Sequence, residues 1–110
     1  MRLILIAMSI FTSMLFAQTH WETAVYAEDV WNYYVGISAP PDNWKELTFD
    51  TSSWEDGQGG FGYADGDDNT VIPNTLSVYF RKSFNITNVD EILSMAIHGD
   101  YDDGFVAYLN

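Results

Sequence analysis

Residues 77–86 read SVYFRKSFNI. In an extended chain Val78, Phe80, Phe84 and Ile86 fall on one face and Ser77, Tyr79, Arg81 and Ser83 on the other. Lys82 alone breaks the period of two. With this aromatic and β-branched content, the alternation predicts a half-buried strand. Residues 18–110 contain no heptad, repeat or amphipathic helix to compete with it, so strands decide the fold.

Working outward, VWNYYVG (30–36) has strand composition. After a turn at 88–91, ILSMAIHG (92–99) places Leu93, Met95 and Ile97 on one face. FVAYLN (105–110) sets Phe105, Ala107 and Leu109 opposite Val106 and Tyr108. Between these runs lie breakers. In SAPPDN (38–43), Pro40 and Pro41 have no place inside a ladder. FDTSSWEDGQGG (49–60) reads as a corner, with Asp50, Thr51, Ser52 and Ser53 satisfying backbone donors and Phe49 and Trp54 as apolar anchors. Short strands between Gly, Asp and Pro loops predict an all-β fold, an antiparallel β-sandwich.

The opening MRLILIAMSIFTSMLFAQ has one basic residue, an apolar run and a small residue at Ala17. Residues 1–17 are therefore expected to form a signal-peptide helix cleaved after Ala17, giving a secreted or cell-surface protein. The run is shorter than the roughly 20 residues that span a bilayer, so no integral membrane protein is expected after cleavage. A lead-in at 18–29 then precedes a β-sandwich module at 30–110. The strand pattern at 105–110 calls for a partner on its far side, so the module is expected to be the front part of something longer. The sequence has no cysteine, and hence no disulfide staple.

Sixteen acidic residues oppose four basic ones, for a net charge of −12. Nucleic acid and anionic membranes are excluded as partners, because both are bound by basic patches. Cations, neutral sugars and basic surfaces remain.

GQGGFG (57–62) matches G-x-G-x-x-G at Gly57, Gly59 and Gly62. A phosphate there would meet Glu55, Asp56, Asp65, Asp67 and Asp68, so the stretch reads as a flexible connecting loop. YADGDDNT (63–70) sets Asp65, Asp67 and Asn69 at alternating positions, hard oxygen donors in the opening pattern of a calcium loop. Thr70 and Leu76 stand where an EF-hand needs its glycine and its bidentate glutamate. Asp100, Asp102 and Asp103 form a second acidic group. If the fold brings both to one rim they share a calcium ion; otherwise each is a solvated turn. His20 and His98 lack zinc-like spacing, and no catalytic residue is assigned. Among the aromatic residues, Trp44 in the proline loop and Tyr101 in the acidic turn are the candidates for stacking on a polysaccharide or cell-surface glycan. Asn85-Ile86-Thr87 is a glycosylation sequon.

FDTSSWEDGQGGFGYADGDDNTVI, SVYFRKSF and DYDDGFVAYLN, in that order, resemble the galactose-binding-like (jelly-roll) β-sandwich module near the front of secreted multidomain bacterial proteins. Relatives continue into a spore coat protein H type (CotH) kinase-like domain, and similar modules accompany secreted hydrolases. The resemblance implies a noncatalytic role, binding carbohydrate or another surface ligand or supporting the other domains of the same chain. It equally admits an accessory region of a CotH kinase-like enzyme. In that family the last strand runs on into further strands, so the chain is expected to be incomplete at its C-terminus.

Overall fold

The computed structural model describes residues 18–110; residues 1–17, for which a signal peptide is expected, lie outside them. The architecture is strand-rich, with β1 (Val30–Val35), β2 (Glu55–Gln58), β3 (Phe61–Gly62), β4 (Thr70–Val71) and β5 (Val78–Arg81). One 3-10 turn, Val89–Glu91, is the helical element among the described residues. The main sheet is antiparallel in the order β2-β1-β5, and β3 and β4 form a short parallel ladder.

β1 organises everything else. Its VWNYYV sequence offers large side chains to both faces, so each face of the sheet acquires its own aromatic cover. Tyr33 stands opposite Glu55 on one side and Phe80 on the other, and Phe61 packs over it at 5.2 Å and over Phe80 at 4.7 Å. On the opposite face Tyr34 pairs with Tyr79, and Trp54 lies 5.5 Å from Tyr34. Phe49 meets Trp54 edge-on at 5.5 Å, as expected of the two anchors of the corner. Ser52 N–H donates to Asp50 Oδ1 at 2.9 Å, closing that corner. Tyr33, Trp54 and Ile72 are the buried apolar side chains.

The glycine stretch is only partly a loop, since Gly59 and Gly60 connect β2 to β3 while Gly57 and Gly62 lie in strands. Glu55–Gln58 is β2, and its glycines are packing positions: a Cβ at Gly57 would meet Phe61 and Thr70, and one at Gly59 would overlap the Ala27 carbonyl. Gly59 N–H donates to Asp29 O at 3.0 Å, which fastens the 18–29 lead-in to β2. The strand at 77–86 is shorter than its alternation, ending at Arg81. At the exceptional Lys82 the ammonium donates to Val30 O at 2.8 Å, and the residues that follow are outside the ladder. Residues 92–99 and 105–110 carry the expected alternation, yet lie in no ladder and are exposed. A period of two needs a partner strand to become a sheet, and the described residues supply none to these segments.

Candidate functional site

The acidic loop is built by backbone geometry. β3 and β4 are held parallel with Phe61 opposite Thr70 and Gly62 opposite Val71, so the intervening residues must double back. Gly66 (φ +83°) and Ala64 (φ +75°) supply left-handed conformations there. The loop gathers Asp65, Asp67 and Asp68, with carboxylate oxygens within 4.8 Å of one another. Asp68 packs where a Cβ on Gly62 would sit, and its Oδ2 is sealed from solvent without a hydrogen-bond partner. This desolvation, then the hydrogen bond to Asp65 and the negative charges of Asp65 and Asp67, raises the pKa of Asp68. Hydrogen bonds from Asp67 and Asp68 lower that of Asp65. The donor set is hard oxygen at close quarters and fits a divalent cation such as calcium.

Asn69 stands apart from this group. Its Nδ2 donates to Gly59 O at 2.7 Å, tying the loop to β2, and Asp68 supplies the third carboxylate beside Asp65 and Asp67. Asp100, Asp102 and Asp103 form a separate exposed turn. Asp103 is left-handed (φ +72°) and Gly104 N–H donates to Asp102 O at 3.1 Å. Among the described residues no cluster joins the two acidic turns.

Trp44 is half-buried. Its ring stacks on Trp54 at 6.2 Å and meets Tyr79 and Tyr108 edge-on at 5.3 and 5.8 Å. Arg81 reaches its carbonyl with a guanidinium donor, and Lys45 sits 4.5 Å over the Tyr108 ring. Tyr101 is open to solvent, 59% exposed, with Phe105 edge-on at 4.7 Å. The structure thus places the two stacking candidates differently, Trp44 inside an aromatic layer and Tyr101 at the surface. His20 pairs with Glu22 at 2.8 Å, while His98 is exposed.

A cleft of about 230 Å³ opens beside the end of β1, walled by Tyr33, Tyr34, Val35 and Ile37 from β1 and its extension and by Ser53, Trp54 and Glu55 from the facing chain. It exists because β1 runs two residues past the last β2 pair, Tyr33 with Glu55, while the chain before Glu55 turns away through the Trp54 N–H to Thr51 O bond of 2.9 Å. Sequence reasoning missed it because it depends on β2, a strand whose EDGQ sequence carries no strand signal.

Among the described residues no helix is long and apolar enough to cross a membrane. No family model, curated protein or solved structure matches the chain.

Proposed function

We propose that this chain is a noncatalytic extracellular module, a galactose-binding-like β-sandwich in its complete form, that binds carbohydrate as part of a larger secreted protein. The observation that carries the reading is Tyr101, an exposed ring braced edge-on by Phe105 and flanked by Asp100, Asp102 and Asp103. An aromatic face beside exposed carboxylates offers stacking to the apolar side of a sugar ring and hydrogen-bond acceptors to its hydroxyls. The resemblance of the three quoted stretches supports the same role. Exposed Leu93, Ile97 and Leu109 are apolar surface of the kind a neighbouring domain covers. Calcium, held by Asp65, Asp67 and Asp68, is the stabilising ion in this reading.

Retention on insoluble polysaccharides tests it. Wild-type protein is expected to bind at least one member of a broad panel and Tyr101→Ala to lose that binding with an unchanged circular dichroism spectrum. Trp44→Ala loses it with a lower melting temperature, since that ring also packs. No retention on any polysaccharide would leave a supporting role alone.

A further inference from the structure

We propose that the cleft at the end of β1 is a binding site for a small organic cation, an ammonium group on a short apolar stem, with Glu55 as its counter-ion. Glu55 is the one charged side chain lining the cleft. The ion pairs among the described residues are His20 with Glu22 and Lys82 with Asp29, and neither involves Glu55. The Tyr33 hydroxyl donates to Glu55 Oε2 at 2.7 Å, which orients the carboxylate and occupies one oxygen, leaving Oε1 for a ligand.

Of the remaining walls Ser53 is polar and the others are aliphatic or aromatic residues. Val35 is half-buried, and Ile37 stands at the rim 90% exposed, an aliphatic side chain with no packing role of its own. Half-buried Tyr34 and the buried Tyr33 and Trp54 complete the wall, and aromatic neighbours lower the cost at which an ammonium gives up water. Selectivity follows from charge. An anion meets Glu55 and the net charge of −12, while a neutral polyol leaves the carboxylate uncompensated. At 230 Å³ the cleft is below the roughly 300 Å³ of a drug-sized pocket, so its occupant is small. The raised pKa of Tyr33, caused first by its bond to Glu55, keeps on the phenol the proton that orients the carboxylate.

The test titrates the full chain, at physiological salt, with choline and with its uncharged carbon isostere, following calorimetry and tryptophan fluorescence. Choline is expected to give a saturable signal and the isostere none. Glu55→Gln, which preserves an acceptor for Tyr33, weakens choline binding by about tenfold or more. Ile37→Ser, at an exposed position, weakens it several-fold without shifting the melting temperature. Asp56→Asn, one residue away but outside the cleft lining, and Tyr101→Ala both leave it unchanged; these controls separate the cleft from general attraction to an acidic protein and from the glycan site. Equal binding of the isostere, wild-type affinity in folded Glu55→Gln, or no saturable choline signal overturns the proposal.

Discussion

The Tyr33 hydroxyl donates to Glu55 Oε2 at 2.7 Å across the β1–β2 ladder. Tyr33 is the most buried aromatic side chain among the described residues, 6% exposed, so this bond joins the core to the surface of the sheet. Tyr33→Phe keeps the ring and leaves only an exposed carboxylate unpartnered, and is expected to cost about 1 kcal/mol in urea denaturation. The bond also sets an alkaline limit. Because the folded-state pKa of Tyr33 is raised, its stabilisation is complete below the unfolded tyrosine value of about 10 and is lost as pH rises through the folded value. Wild type should lose stability over that alkaline window more steeply than Tyr33→Phe; parallel curves would mean that the hydrogen bond is absent in solution.

Trp54 touches Tyr34, Trp44 and Phe49 at once. Trp54→Ala should cost about 3–5 kcal/mol, the range for removing a large core aromatic, a large share of what a small domain has. Trp21, 74% exposed, is the control: its alanine variant should melt within a degree or two of wild type.

Gly59 and Gly66 are needed for opposite reasons. At Gly66 the backbone is left-handed, but nothing lies within 4 Å of a built Cβ, so Gly66→Ala should cost about 1 kcal/mol of backbone strain. At Gly59 a Cβ overlaps the Ala27 carbonyl. Gly59→Ala should therefore cost about 3 kcal/mol and release the lead-in, read as faster proteolysis within residues 18–29. Equal melting temperatures for the two variants would contradict the packing described.

Asp68 holds its proton more tightly when folded. The sign follows: its contribution is fully present below the ordinary carboxylate pKa and is lost as pH rises through the raised folded value. At neutral pH without divalent ions, Asp68→Asn should melt above wild type. Saturating calcium should raise the wild-type midpoint by several degrees, because an ion bound only by the folded state stabilises it by mass action, and should leave Asp68→Asn unmoved. Identical wild-type midpoints in calcium and chelator would remove the ion from the functional reading.

Much of the main sheet was legible because its strands announce themselves. The aromatic and β-branched run at 30–36 becomes β1, and alternation at 77–86 correctly assigns Val78 and Phe80 to one face and Tyr79 and Arg81 to the other. Three things were hidden. β2 is polar and glycine-containing, and is a strand only because β1 offers it an edge, a tertiary effect that outweighs propensity. The β3–β4 ladder is two residues long, too short for any pattern. The alternation of Leu93, Met95 and Ile97 shows which side chains share a face but cannot supply a neighbouring strand. At the site, spacing brought Asp65 and Asp67 together, whereas Asn69 was claimed by Gly59 O, a contact between loops that no local pattern encodes.

The order of the main sheet has a consequence for how the chain is made. β1 is synthesised first and sits in the middle, yet its neighbours arrive late: Tyr33 waits 22 residues for Glu55 and about twice that for Phe80, the second closure adding only about 0.6 kcal/mol in chain entropy. No tight hairpin nucleates this sheet, because even the consecutive strands β1 and β2 are joined by the long connection from Gly36 to Trp54, and non-local pairing of this kind is slow. Until β2 emerges from the ribosome, VWNYYV is a bare aromatic strand with two open edges, and until β5 follows it keeps one; it is the segment on which a holdase chaperone would act.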